Sequence, residues 1–415
     1  MTMTPMPQAM LDGGVANWIR PDCGPPCFDS SRRAWRVSRY QDVVAVLRSP
    51  DLLVFDWLAN IRRLAAAGEY DADTIFRVTR GWSLFQNAPK HSALRRWLVQ
   101  ALQVIGPGLA PERVRRVVSE LMTPVPAGET IDAVSRLCDR VPEALFAEAL
   151  GVPTSTISIF TAATIELSSL WRNSNSPATL RRIGQLLAAM EAEASGLMAM
   201  AHRHADAPLA AVLARTGDSP DLDEADIANG LSFLFVSGIE TTASALASSI
   251  ALCLVDARAR ACFADLAKPP RGAMEEVLRR VGAIHTLQLR STVRPIVSAG
   301  WSIPAGATVF LEIEQANHDP SAYPDPFRFD PHAARPSPLH FGMGAHACVG
   351  AVTARSIIAS CLTTLFTEWR LTLAGDALSW EDHPTMRRLQ HLPLRAERVH
   401  GDSEARTLGQ PRGTG

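Results

Sequence analysis

FGMGAHACVG, residues 341–350, packs three glycines, a histidine and a cysteine into ten positions directly ahead of an apolar run, AVTARSIIASCLTTLF. Glycine is used where a backbone must take positive φ or where a flat partner comes too close for a Cβ, and it recurs here at Gly342, Gly344 and Gly350. The apolar run has helical spacing, which places Cys348 at a predicted helix N-terminus, where the dipole and free N–H groups favour a thiolate. Such a thiolate is either a nucleophile or a metal ligand.

No second cysteine or histidine stands at zinc spacing, which points to an iron that already has other ligands; haem supplies four nitrogens itself. The alternative is a buried structural cysteine beside a tight turn. A cysteine hydrolase fits poorly, because His346 is only two residues from Cys348 and no oxyanion-hole motif accompanies it.

The rest of the chain narrows the choice. At 415 residues it is long enough for two domains or one large enzyme domain. With 41 basic and 42 acidic residues and no long single-sign run, nothing argues for nucleic acid or anionic lipid as a partner. The N-terminal MTMTPMPQAMLDGGVANW lacks a basic region followed by an apolar stretch, and no later segment reads as a membrane span, so a cytoplasmic protein without a membrane anchor is expected. Seven scattered cysteines do not make a disulfide framework; Cys23 and Cys27, either side of GPP, read as turn residues rather than half of a zinc site.

Apolar positions recur at helical spacing in YQDVVAVLRS (40–49), HSALRRWLVQAL (91–102) and IDAVSRLCDRVPEALFAEALG (131–151), and again around 180–215. The exception is 292–313, TVRPIVSAGWSIPAGATVFLEI, whose β-branched residues and Ala-Gly and Pro-Ala-Gly turns predict a small sheet. Next, 316–338, ANHDPSAYPDPFRFDPHAARPSP, is too proline-rich for a helix and too apolar for a linker, so a packed irregular segment is expected.

At this point the cysteine loop resembles the haem-binding loop of the cytochrome P-450 family, with Phe341, Gly344, His346, Cys348 and Gly350 on its Phe, Gly, basic, Cys and Gly positions. The resemblance implies the cytochrome P-450 fold, mainly α with small β-sheets; with no internal repeat or linker, a single domain over 1–400 is expected, and the polar, patternless 401–415 is expected to be a disordered tail. The resemblance also implies Cys348 as axial ligand of heme b (iron protoporphyrin IX). A thiolate there pushes electron density onto the metal and favours O–O cleavage.

Three further segments follow in the family's order. SGIETT, 237–242, lies within the apolar helical run 227–256, which the acidic SPDLDEAD introduces as a helix start. Gly and Thr weaken a helix and a lone Glu is costly to bury; the Thr241 hydroxyl is expected to bond the Ser237 carbonyl and to bend or open the helix. Read alone, the segment is a kinked core helix with Glu240 in a salt bridge. The segment resembles the family's Ala/Gly-Gly-x-Asp/Glu-Thr-Thr signature, implying that Thr241 hydrogen-bonds the oxygen being activated while Glu240 relays protons.

In AMEEVLRR, Glu276 and Arg279 share one helical face. The family completes this Glu-x-x-Arg with a later arginine as a structural triad; Arg335 is the residue expected, although the usual spacing falls on Ala333, two positions earlier. Glu112 and Arg115 form a decoy pair without the same sequel. Arg290, eleven residues past Arg279, stands where the family has a haem-propionate ligand. APKHSALRR resembles its Pro-x-His-x-x-x-Arg stretch, giving His91, Arg95, Arg290 and His346 as donors for two carboxylates; on residues alone His91 and Arg95 are a solvated basic face. The chain departs from the pattern at Arg280, Ala283 and Thr353.

The expected activity is that of a soluble bacterial-type haem-thiolate monooxygenase fed by ferredoxin or flavodoxin with its reductase, since no flavin or iron–sulfur module is legible. By family analogy Phe233, Leu234, Ser237, Leu287 and Gln288 line the pocket, an apolar set with two polar groups. That suits a small hydrophobic substrate of secondary metabolism, free or carrier-protein-bound. Peroxygenase, oxidative coupling or nitration chemistry on the same fold, and a non-catalytic haem gas sensor, are the alternatives.

Overall fold

The computed structural model describes residues 24–399 except 55–57, 69–71, 127, 168–175, 216–220, 265–268, 271, 299, 376–377 and 384; at 60, 165 and 288–291 the backbone alone is described. Cys23 and the expected tail, 401–415, lie outside the described residues.

The helix Glu224–Val255 is the axis on which the molecule is built. Asp223 begins it with a capping box: its carboxylate accepts from the Asp226 N–H at 2.7 Å, and Asp226 accepts in turn from the Asp223 N–H at 3.2 Å. Arg80 and Lys90 then hold the buried Asp226 carboxylate. The helix is apolar around nearly its whole circumference because helices surround it: Arg140–Leu150, Thr154–Leu167, Pro177–Arg203, Ala273–Val281 and Ala351–Glu368 all pack against it.

Its length and hydropathy, 1.5 over the best 18-residue window, would also suit a membrane span, which corrects the expectation that no segment would. Burial gives the reason, since 78% of that window lies inside the protein.

Among the described residues, four sheets flank the helices. The largest has five strands in the spatial order Cys27–Asp29, Ala34–Val37, Thr308–Leu311, Leu287–Thr292, Leu52–Val54. The small sheet expected over 292–313 is present as a hairpin, with Ile296 opposite Ile303 and Ser298 opposite Trp301. Strands before residue 60 were not expected, and Cys27, expected in a turn, opens one of them. These strands are three or four residues long; Cys27–Asp29 forms a local hairpin with Ala34–Val37, but Ala34–Val37 and Leu52–Val54 are joined to the sheet by partners more than 200 residues away, such as Trp35 beside Val309 in parallel. No local pattern announces such a pairing.

The segment after the hairpin is irregular and packed, as its composition implied: Tyr323 and Phe329 are fully buried. Asn317 accepts the Leu339 N–H at 2.8 Å, tying the segment to the start of the cysteine loop.

Candidate active site

The cysteine loop is shaped by its backbone. Cys348 N–H donates to Phe341 O at 2.8 Å, and Gly342 and Gly344 take φ of 67° and 74°. At Gly344 a side chain is excluded twice over, because a Cβ would come within 2.5 Å of the Leu47 carbonyl oxygen. Gly350 differs. Its φ is −87°, and a Cβ there would sit 3.9 Å from Cys348 Sγ, so it keeps the space beside the sulfur clear rather than supplying a turn.

Cys348 is surrounded by protein atoms, yet it remains exposed. Burial pushes its thiol up, while the Gly350 N–H and the charges of Arg95 and Arg355 pull the other way without prevailing. The helix-dipole argument for a ready thiolate is thereby corrected: the helix Ala351–Glu368 begins three residues later, and desolvation outweighs it. A thiol held up in this way is a poor free nucleophile at neutral pH, whereas a metal ion deprotonates its cysteine ligand outright.

The basic residues converge on the same loop. His91, buried near the start of the helix Lys90–Ile105, lies with its ring 3.9 Å from that of His346. One turn on, Arg95 Nη1 donates to Ala347 O at 2.5 Å, so the helix grips the loop immediately before the cysteine. Phe341 lies between His340, 4.2 Å between ring centres, and the Arg355 guanidinium, 4.4 Å from its centroid. The backbone of Arg290 is in the five-stranded sheet opposite Val54 and Val309; the side chains of Arg290 and Gln288 lie outside the described residues.

Across from this loop's helix runs the middle of Glu224–Val255. Thr241 Oγ1 donates to Ser237 O at 2.7 Å, and Ser237 Oγ to Phe233 O at 2.7 Å. The helix is unbroken, and Ser232 and Ser249 make the same backward bonds in it. What distinguishes the segment is access: Ser237 is exposed and Val236, Gly238 and Thr241 are half-buried in a helix otherwise closed from Asp226 to Cys253. Phe233 and Leu234 are shut in the core, Phe233 against Trp82 at 5.7 Å, so the open surface lies one turn beyond them. Leu287 is half-buried beside the sheet's own apolar cluster.

Glu276, Arg279 and Arg335 meet. Arg279 Nε and Nη2 donate to the two Glu276 oxygens at 2.8 Å each, and Arg335 Nη1 donates to Oε1 at 2.5 Å. The two-residue offset is absorbed by the irregular segment that carries Arg335. Arg279 also donates to Asn317 O at 2.8 Å and Pro326 O at 2.7 Å and lies over the Tyr323 ring, bolting helix to segment. The decoy residues Glu112 and Arg115 are exposed.

Sequence reading missed the surroundings of Glu240. This buried carboxyl is held up to about 7, chiefly by burial, with Arg388 opposing and Glu381 and Asp139 adding to the rise. Arg388 Nη1 lies 4.0 Å from it. No spacing in the chain pairs residues 240 and 388.

These residues fit a haem: one reachable cysteine sulfur on glycine backbone, Gly350 leaving room beside it, and His91, His346 and Arg95 gathered where donors for acidic groups are needed. Comparisons agree. The family model described as Cytochrome P450 matches residues 270–393, which hold the triad, the irregular segment and the cysteine loop. The chain is similar to cytochrome P450 monooxygenase PikC of Streptomyces venezuelae, 29% identical over 76% of each chain. It is also similar to mycinamicin IV hydroxylase/epoxidase of Micromonospora griseorubida, 26% identical over 87% of this chain and 89% of that one. Among solved structures, P450BioI in complex with a fatty-acid-ligated acyl carrier protein superposes with a TM-score of 0.78 at 23% identity, covering 94% and 98% of the two chains. With fold, loop and relatives in accord, the chain belongs to the cytochrome P-450 family of haem-containing monooxygenases.

Proposed function

We propose that this monooxygenase takes electrons from a separate ferredoxin or flavodoxin and its reductase in the cytoplasm, and oxidises a small, largely hydrophobic molecule of secondary metabolism. The observation that carries the reading is the pairing of a reachable Cys348 in its glycine loop with an open Ser237–Thr241 surface on a helix that packs against the loop's own helix. The printed function of the mycinamicin relative, hydroxylation and epoxidation, supports the reaction class.

Haem, when bound, supplies dioxygen activation. The chain supplies the rest. Cys348 holds the metal, Gly344 lets the loop pack against the Leu47 carbonyl, and Gly350 leaves room beside the sulfur. His91, His346 and Arg95 take the propionates, with Arg95 also fixing the loop through Ala347 O.

On the opposite side the Thr241 hydroxyl spends its proton on Ser237 O, so its lone pairs face outward; turning off that bond lets it donate. Glu240 is the adjacent residue, and a carboxyl held near 7 is poised to give and regain a proton at neutral pH. Ser237 offers a second hydroxyl to an oxygen-bearing substrate. The apolar remainder of the pocket gives hydrophobic contact and keeps water out.

The test is turnover under ¹⁸O-labelled dioxygen with ferredoxin and reductase added, on substrates first chosen by their shift of the haem spin state. One labelled oxygen atom in the product, dependent on the electron donor, is the expected result. Product formed with peroxide alone and not with the donor would move the chain to peroxygenase chemistry, and no product with any substrate that shifts the spin state would favour a sensor.

A further inference from the structure

One guanidinium serves three carboxylates, Glu240 among them. Arg388 Nη1 is 4.0 Å from Glu240 Oε1, Nη2 is 3.6 Å from Asp139 Oδ1, and Nε donates to Glu381 Oε1 at 3.0 Å. Side-chain exposure rises outward through this set, from 5% at Glu240 and 9% at Arg388 to 24% at Asp139 and 33% at Glu381. The cluster is a graded path of charge from the core to water.

The pairing geometry is fixed by backbone. Glu381 follows the strand Ser379–Trp380 and Arg388 precedes its partner Leu389–His391, and the Glu381 N–H donates to Arg388 O at 2.8 Å. Asp139 stands at the head of the helix Arg140–Leu150. The groups facing this cluster are Cys138, whose thiol burial keeps neutral, Asp132, and Glu143, which pairs with Arg140 at 3.3 Å.

Charge counting then decides which acid keeps a proton. Arg388 gives its hydrogen bond to Glu381 and only a distant contact to Glu240, so the deepest carboxylate has the poorest share of the one cation and two anions nearby. We propose that Glu381, on the solvent side, is a positioning residue that acts through Arg388 to set whether Glu240 holds its proton. Removing the Glu381 charge takes away a repulsion and frees Arg388 to turn inward; both changes favour ionised Glu240. Removing Arg388 does the reverse. The consequence for catalysis rests on the reading of Glu240 as the proton-holding acid, whereas the linkage itself does not.

The experiment is a pH titration of the haem-loaded protein by infrared spectroscopy, following the protonated-carboxyl band that Glu240→Gln abolishes. Glu381→Gln is expected to lower its midpoint by about one pH unit and Arg388→Gln to raise it by at least as much, with Arg388→Lys nearer the parent. A midpoint that Glu381→Gln leaves in place or moves upward overturns the proposal. Glu381 is on an accessible hairpin, so its variant decides the matter even where Arg388→Gln does not fold. The coupling of product to electron uptake is measured on the same samples across neutral pH. A moved titration with unmoved coupling keeps the linkage and removes the catalytic reading of Glu240; an unmoved titration removes the linkage whatever coupling does.

Discussion

Arg335 donates to the same oxygen of Glu276, Oε1, that accepts from Arg279 Nη2, so one buried carboxylate joins the helix Ala273–Val281 to the irregular segment ahead of the cysteine loop. Glu276 and Arg279 are 4% and 1% exposed, and breaking such a pair strands a buried charge. Glu276→Ala is expected to cost about 3–5 kcal/mol in denaturant unfolding and to lower haem retention. Arg335→Ala should act in the same direction but less, since Arg279 still holds both oxygens. Arg115→Ala, at the exposed decoy, should stay within about 0.5 kcal/mol of the parent.

Cys348→Ser is expected to lose the strongly red-shifted Soret band of the dithionite-reduced, carbon-monoxide-bound protein. Cys138 and Cys361 are closed in the core and their thiols are pushed up by burial, so serine at either should leave the band in place and show only in stability. A retained band in Cys348→Ser would move the ligand to another cysteine.

Arg95→Ala removes a charge-assisted bond to Ala347 O and one donor from the His91–His346 side of the loop. A bond of that kind contributes about 1.5–3 kcal/mol, equivalent to roughly a ten- to hundredfold faster loss of haem to an apo-globin acceptor. Arg95→Lys should recover part of it. Equal haem-loss rates for parent and Arg95→Ala would assign Arg95 to the solvated face that its sequence setting alone allows.

The parts of this site that were legible in the chain are the local ones. Positive φ at Gly342 and Gly344, the Asp223 cap, the Thr241 bond to Ser237 and the Glu276–Arg279 pair each depend on residues within a few positions of one another. The Arg335 contact was reachable because the family's order, not its spacing, pointed to it. What stayed hidden depends on chain segments distant in sequence: the parallel pairing of Trp35 with Val309, and Arg388 beside Glu240. The thiol of Cys348 was misjudged for a related reason, since a helix start can be read from spacing while the desolvation that outweighs it is set by the whole fold.

Thr241→Ala should keep haem binding and the Cys348 spectrum while diverting electrons from product to peroxide or water, because the hydroxyl that bonds Ser237 O is lost from the open surface. Thr241→Ser keeps a hydroxyl and should restore much of the coupling. The ratio of product to electron donor consumed reads this directly, and an unchanged ratio in Thr241→Ala would transfer the hydroxyl role to Ser237.

Glu240 gives stability a definite pH dependence. Its ordinary value is 4.5 and the fold holds it at about 7, so between these values the folded chain keeps a proton that the unfolded chain releases. The unfolded state therefore binds fewer protons, and stability falls as pH rises through this window, levelling once Glu240 is ionised in both states. At about 1.4 kcal/mol per unit of displacement, the loss is on the order of 3 kcal/mol. Glu240→Gln cannot ionise, so its unfolding free energy should be flatter over the same range, and subtracting the two curves removes the contribution of histidines common to both. Parallel curves would mean that Arg388 neutralises Glu240 in the fold and that its proton affinity is not raised.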